Sequence, residues 1–578
     1  MTPTAPAADP VSRSLPTIAV IGGGMAGLGA AHALESALRE AGHAAPSDAD
    51  TPFDWVLYER ADYLGGKVKT DRTDGYVVEG GPDSFIIEKP WPMELARKVG
   101  VYDRLLDSNE SVRKSYVFSR GRLHELPEGL ILMVPTRIVP FALSSLISWR
   151  GKLRMGLDLV IPRGTRGADE SLGDFVRRRL GREALAKVAE PIVAGIHAGD
   201  PEQMSVRATF PMFIEMEEKY RSLILGMVRR RKARARMQQG RMGGAGGTGA
   251  GAKAGATGAG AGAAASAGAG GTGGTGAAAS AAASPAPTPP GAGGAAQVRK
   301  PRAYFLSFRT GLADLADAVV ADLPAGRLRT GVAVASLTPE PDTPGGYGLD
   351  GYRLRLSDGT ERVVQAVVLA GPAFVAGELL RSVAPAAAAG LESIPYVTTA
   401  TVSLAYRKAD VARPLSGFGF VIPRAEERGI MAGTFSSLKF AGRAPDDGVL
   451  VRAFVGRAGR EGPAELPDGE LVALVRAELA AIVGLRAEPL FTRIFRWPRG
   501  MPQYRVGHRE LIDRVEGEIA AVPGVELAGG YLHGIGIGDC IREGTAAAER
   551  AIAHVEHLVE PPAPGQPADV PAADGVED

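Results

Sequence analysis

At 578 residues the chain is long enough for two or three domains with substantial cores. Its 66 basic residues balance 65 acidic ones, so no overall field draws it to nucleic acid or to an anionic membrane. The single cysteine, Cys540, excludes an internal disulfide and a cysteine-built metal cage and fits a reducing cytoplasm; no metal site is expected.

Met1 to Ser14 is rich in Pro and Ala without a long apolar core, and reads as a disordered leader rather than a secretory signal or a membrane span. Thr17 to Ile21 then forms a short apolar strand running into G-x-G-x-x-G, after which Ala30, Leu34, Ala37 and Leu38 repeat at helical spacing. Gly22 permits the tight turn, Gly24 lets backbone N–H groups approach phosphates, and Gly27 lets helix and strand pack closely. Together with Gly23, Met25 and Ala26 they are expected to hold the pyrophosphate of a dinucleotide at the helix N-terminus. Trp55 to Glu59 is a second apolar strand ending in an acid, where this fold places the carboxylate that binds an adenosine ribose; Arg60 follows it. The intervening Gly42 to Pro52 reads as an extended surface loop. Leu64-Gly65-Gly66-Lys67 and Val78-Glu79-Gly80-Gly81-Pro82-Asp83-Ser84 then add two glycine pairs and a cation, which a nicotinamide domain does not need.

At this point the chain resembles the FAD-dependent amine oxidase superfamily, whose members carry this glycine doublet after the ribose acid. The resemblance implies an α/β fold: an FAD-binding Rossmann-type (GR2-like) domain assembled from discontinuous segments, a mixed α+β substrate domain and a helical subdomain. It also places Gly66, Lys67, Gly81, Pro82, Asp83 and Ser84 at a non-covalently bound FAD.

Trp91 to Leu106 is expected to be helical, and Tyr116 to Phe118 with Arg122 to Leu126 to form a hairpin around Ser119-Arg120-Gly121. Leu130 to Ile161 is apolar but broken by Pro135, Pro140 and four cations, which argues against a spanning helix and leaves an amphipathic surface resting on a membrane or a helical subdomain packed over a substrate cavity. Ser171 to Gly181 is a helix bounded by a serine cap and a glycine. Glu190 to Pro201, Arg207 to Pro211 and Ser222 to Met227 narrow the resemblance to the bacterial oxygen-dependent porphyrinogen oxidases, above all the coproporphyrinogen III oxidases of Gram-positive bacteria. His197, a single histidine between small residues, reads as a packed or capping residue.

Arg229 to Arg236 is a basic run without interleaved aromatics, a solvated flank rather than a nucleic-acid site. Residues 241–300 hold 19 Gly and 22 Ala, so the tract cannot bury enough apolar surface to order itself and is expected to be a flexible insertion. The fold resumes at Ala303 to Phe308. Gly311 to Leu315 begins a helix, Gly331 to Leu337 is a strand, and Tyr352 to Leu356 turns at Asp358-Gly359 into Val363 to Ala370. Ala400 to Tyr406, Gly417 to Ile422 and Leu450 to Val455 are strands of a second sheet, and Leu471 to Ile482 is helical. Val525 to Gly530 and Gly534-Ile535-Gly536-Ile537-Gly538-Asp539-Cys540 return the chain to the cofactor, and Thr545 to Val555 is a helix. By the resemblance, Val334 meets the adenine, Trp497 stands at the flavin, and Ile535, Gly536 and Ile537 line the isoalloxazine ring.

The expected organisation is a leader over 1–14, an FAD domain from 15–90, 300–375 and 490–558, a helical region over 91–230, a basic flank and insertion over 231–299, a substrate sheet over 376–489 and a disordered tail over 559–578. Because the flavin is the electron sink, no catalytic side chain is required. The resemblance implies a porphyrinogen substrate with four propionates, or alternatively two, oxygen as acceptor, and transient contact with the next haem-pathway enzyme, ferrochelatase. A non-catalytic binding protein on the same fold is the reading of another class. The expected location is the cytoplasm, with at most a peripheral contact at the inner face of the membrane.

Overall fold

The computed structural model describes residues 15–43, 51–230, 232, 303–340 and 351–559, with the exception of 128, 132, 136, 165 and 166. The expected leader, insertion and tail lie outside this set but for residues 232 and 559, as does most of the loop over 42–52.

Five short strands form a parallel sheet in the order Leu328–Thr330, Asp54–Glu59, Thr17–Ile21, Ala366–Leu369, Val525–Leu527. Such a sheet is covered on both faces, and its central strands Thr17–Ile21 and Ala366–Leu369 are apolar but for Thr17. Ile18 and Val20 point into one core with Leu28, Leu34 and Leu38 of the helix Met25–Glu40 and with Ala547, Ala551 and Val555 of the helix Ile537–Val559. Ala19 and Ile21 point into the other, covered by a three-stranded antiparallel sheet (Val334–Glu340, Gly351–Leu356, Glu361–Val364) and by the helices Ala373–Leu380, Pro385–Glu392 and His508–Ile519.

A seven-stranded sheet runs in the order Phe491–Pro502, Tyr396–Arg407, Gly448–Val455, Ala432–Phe435, Gly419–Val421, Ser115–Ser119, Arg122–Glu125. Its pairings are antiparallel except that between Gly419–Val421 and Ser115–Ser119. The helix Asp468–Val483 buries Leu471, Val475 and Leu479 against one face. A helical region carries a third core around Phe175, Phe213, Val188 and Val193, with Phe175 and Phe213 stacked at 6.1 Å. Its helix Leu172–Arg179 starts at Ser171, whose side chain accepts from Asp174 N as the sequence led one to expect.

Several elements differ from the sequence reading. The helix begun at Trp91 ends at Lys98, because Gly100 turns the chain at φ +73, and Leu105–Asp107 becomes a strand beside Phe305–Phe308. The strand expected over Gly331 to Leu337 starts later, at Val334, and a separate strand, Leu328–Thr330, precedes the bend of Gly331 at φ +72 and joins the parallel sheet. The continuous Val363 to Ala370 is two strands, one in the three-stranded sheet and one in the parallel sheet, with Gln365 between them. The last helix starts at Ile537 rather than Thr545. Phe491–Pro502, placed by sequence in the last flavin-domain segment, is hydrogen-bonded into the seven-stranded sheet, and so are Ser115–Ser119 and Arg122–Glu125 from the helical region.

Candidate functional site

The glycine turn lies at the carboxyl ends of the parallel strands, where open α/β sheets bind their ligands. Gly27 is pressed on the turn it follows: a Cβ there would stand 1.8 Å from the carbonyl oxygen of Gly22. Gly22 itself has φ +111, and its missing side chain lets Ala370 and Gly371 approach from the next strand. Gly24 is the opposite case. A Cβ there meets no atom within 4 Å, so the space over its backbone is open. Met25 and Ala26, both buried, open the helix.

Glu59 ends the second strand beside this turn. One carboxylate oxygen accepts from Gly23 N at 2.6 Å and the other from Ala61 N at 2.8 Å. Val332 N donates to Glu59 O, which brings the chain leading to Val334 alongside; Arg60 is exposed. The Gly65–Gly66 pair folds back onto the turn, with Gly65 N donating to Gly23 O at 2.8 Å and a Cβ at Gly66 only 3.0 Å from Gly24 Cα.

Lys67, next in the chain, donates from Nζ to Gly500 O. Lys67 is exposed, while Asp83 and Cys540 are half-buried. Desolvation lowers the ammonium pKa of Lys67. The Cys540 thiol is pushed up to about 11, first by desolvation and then by the Asp539 charge. Gly81 leans on Lys67, since a Cβ there would stand 1.9 Å from Lys67 O. Pro82 follows, and Asp83 accepts from Lys439 at 2.8 Å and from Ser84 at 2.7 Å. Burial pushes the Asp83 carboxyl up, but Lys439 and Arg452 outweigh it and hold the group well below the usual carboxylate range. Trp497 Nε1 donates to Gly80 O at 3.0 Å.

The closing helix reaches the same place from the far end of the chain. A Cβ at Gly544 would stand 1.9 Å from Ala26 O, and one at Gly29 would stand 3.0 Å from Ile541 O, so the two helices cross at small residues and their N-termini meet. Gly534 N donates to the Tyr504 hydroxyl at 2.9 Å, and Gly536 N to Asp539 at 3.1 Å. Asp539 also accepts from Lys89. Ile535, Gly536 and Ile537 thus stand at the helix start, with Lys67 and Cys540 close by.

Sequence reasoning missed Lys89, Thr401, Lys439, Arg452, Gly500 and Tyr504. All touch the glycine segments through contacts hundreds of residues apart or through carbonyl groups, which leave no local pattern. The donor set fits a dinucleotide flavin: an open floor over Gly24, a carboxylate beside it, two helix N-termini, and Lys67 and Cys540 near one another beyond. A flavin bound there would supply an acceptor for two electrons, and these residues would hold and orient it.

Residues 25–552 match the model of the flavin containing amine oxidoreductase family. The chain is 37% identical over 507 residues to a coproporphyrinogen III oxidase of Propionibacterium freudenreichii subsp. freudenreichii, covering 86% of each chain. It is 30% identical over 539 residues to the coproporphyrinogen III oxidase of Bacillus subtilis (strain 168), covering 93% of this chain and 98% of that one. Among solved structures, a putative protoporphyrinogen oxidase from Exiguobacterium sp. 255-15 superposes with a TM-score of 0.70 at 27% identity, covering 94% of this chain and 100% of the other.

Proposed function

We propose that this chain, which belongs to the flavin containing amine oxidoreductase family, is an FAD-dependent oxidase that converts coproporphyrinogen III to coproporphyrin III in haem biosynthesis. The observation that carries this reading is identity of 37% and 30% to two coproporphyrinogen III oxidases over nearly the whole of each chain. Each turnover removes six electrons in three two-electron rounds. Over the three rounds the four methylene bridges of the substrate lose one hydrogen each and its pyrrole nitrogens lose two in all, and oxygen leaves as hydrogen peroxide in each round. The protein's part is to hold the cofactor, position the macrocycle and exclude water.

For cofactor contacts we assign Gly22 to Gly27 to the pyrophosphate, Glu59 and Arg60 to the ribose end and Val334 to the adenine. Gly66, Lys67, Gly81 to Ser84, Trp497 and Ile535 to Ile537 are assigned to the flavin end. Support for non-covalent attachment is the Cys540 sulfur, which is packed toward Gly530 and protonated at neutral pH. The domain assignment keeps the three flavin segments but moves Phe491–Pro502 to the substrate sheet, whose strands it joins.

No helix among the described residues is long and apolar enough to cross a membrane. We place the protein in the cytoplasm and assign a peripheral membrane contact to residues 139–160. There Val139, Leu143, Trp149, Leu153 and Val160 are each at least 68% exposed, and Lys152 lies over the Trp149 ring. Transient contact with ferrochelatase, which would take the product onward, completes the proposal.

The test follows porphyrin fluorescence and oxygen uptake with coproporphyrinogen III and with protoporphyrinogen IX. Two propionates of the first are vinyl groups in the second, and a site built for four carboxylates should favour the former in kcat/KM. Faster turnover of protoporphyrinogen would move the assignment to that substrate. Activity on neither would remove the porphyrinogen reading, and turnover unaffected by excluding oxygen would identify another acceptor.

A further inference from the structure

The Gly80 carbonyl is gripped by three strands of the seven-stranded sheet. Arg452 Nη2 donates to it at 3.1 Å, Trp497 Nε1 at 3.0 Å and Thr401 Oγ1 at 2.9 Å. Arg452 donates to Gly81 O as well. A carbonyl oxygen offers two lone pairs, so three donors saturate it and the peptide plane cannot turn without losing them. The bond is trans, which points the Gly81 N–H opposite to the Gly80 carbonyl, away from the sheet. That N–H has no acceptor among the described residues. The half-buried Gly81 N–H, held in one direction beside Lys67, is thus free to donate to a ligand acceptor.

The cations behind this peptide are not alike. Lys439 pairs with Asp83 at 2.8 Å and Arg443 with Glu79 at 3.2 Å. Arg452, only 2% exposed, makes no ion pair among the described residues, and its Nε has no partner. The carboxylates that act on it, Asp83 and Glu79, do so from beyond ion-pair distance and are already paired with Lys439 and Arg443. A buried guanidinium without a direct ion-pair partner is costly to hold, which sets it apart from the structural pairs around it. It becomes favourable when a neighbouring group acquires negative charge. A flavin bound here would be neutral in its ring when oxidised and would carry one negative charge once reduced by two electrons and one proton.

We propose that Arg452 is a positioning residue that raises the reduction potential of the cofactor: it fixes the Gly80–Gly81 peptide so that the Gly81 N–H donates to the flavin, and its unpaired charge favours the reduced form. This inference rests on the FAD reading above and deepens it. Polarisation of the peptide by the guanidinium strengthens the N–H as a donor, because hydrogen bonds in series reinforce one another. Thr401 and Trp497 share the orienting role without supplying charge.

The test is an anaerobic dye-coupled redox titration of the FAD-loaded enzyme, followed by flavin absorbance. Arg452→Met should lower the midpoint by the equivalent of at least tenfold, about 30 mV for a two-electron couple. Arg452→Lys, which keeps the charge but cannot span two carbonyls, should recover part of the loss. In single-turnover work, flavin reduction by substrate should slow in Arg452→Met while KM stays within a few-fold. A variant that retains FAD with an unchanged midpoint overturns the proposal. Should Arg452→Met fail to hold FAD, the pair Thr401→Val and Trp497→Phe carries the test. These remove two of the three donors, so their midpoint should fall by less than that of a charge deletion, and an unchanged value would again refute it. A wild-type protein that takes up no FAD would overturn the cofactor reading instead.

Discussion

Two glycines of the same turn should fail for opposite reasons when given a side chain. Gly24 has φ −74 and ψ −176, extended backbone that valine adopts readily, and its Cβ position is free of neighbours within 4 Å. Gly24→Val should therefore leave the apoprotein within about 0.5 kcal/mol of wild type, the ordinary range of a substitution that disturbs no contact. The valine nevertheless fills the floor over which the pyrophosphate lies. At a free FAD concentration of about 100 times Kd the wild type gains ~2.7 kcal/mol, and the variant should gain nothing. Gly27→Ala behaves differently. Its Cβ would stand 1.8 Å from Gly22 O, whereas a carbon and an oxygen settle at roughly 3.3 Å or more, so the turn must retreat by about 1.5 Å. Overpacking of this kind costs ~1–3 kcal/mol, more than the ~1 kcal/mol that alanine gains over glycine inside a helix. Thermal unfolding with and without added FAD, together with flavin absorbance, separates the two. The reasoning is refuted if Gly24→Val binds FAD as wild type does, or if its apoprotein is as unstable as that of Gly27→Ala.

Removing one member of a buried ion pair should be far more damaging than either substitution: Arg443→Met strands Glu79, which is 4% exposed on its side chain, and urea unfolding should show a loss of ~3–5 kcal/mol, partly restored by adding Glu79→Gln. His197 and His508 are both buried, with desolvation pushing each imidazole down to about 4. The unfolded chain takes up these protons near pH 6.5 and the folded chain only near 4. Stability is therefore unaffected by them above about pH 7 and falls as the pH drops from ~6.5 to ~4, by up to ~1.4 kcal/mol per pH unit for each. His508→Gln should make the fall of Tm between those pH values shallower, and an unchanged slope would show that His508 is not held neutral. Replacing residues 241–297 by a short Gly/Ser link should leave flavin content and turnover within a few-fold, as composition and the weak length dependence of loop closure imply; loss of folding would contradict it.

The parts of the site that the sequence made legible are those where one residue type answers a local backbone demand. The glycine turn is such a case, and so is Glu59 at the end of an apolar strand, because both follow from chain geometry within a few residues. The cap at Ser171 marks its helix start in the sequence, whereas Gly100, which ends its helix by turning at positive φ, falls inside the helix expected over Trp91 to Leu106. The division at Gln365 had no such marker. An unbroken apolar run can serve one sheet or two, and here the choice is made by the strand Thr17–Ile21, whose partner is nearly 350 residues away.

Arg452 and Gly544 show why the remainder was hidden, and how it leaves a trace. Within Leu450 to Val455 the arginine stands alone in an apolar strand, a position that only a buried acceptor makes tolerable, yet the acceptor is a carbonyl of Gly80 and carbonyls carry no sequence identity. Gly544 sits inside the long closing helix, where glycine costs ~1 kcal/mol relative to alanine. That cost is intelligible only once Ala26 O is seen where its Cβ would be. Each is a local rule broken for a distant partner, and both partners belong to the glycine segments assigned to the cofactor. A lone buried cation or a helix-interior glycine therefore points to a tertiary demand before the partner is known, and the partner's position is what only the folded chain supplies.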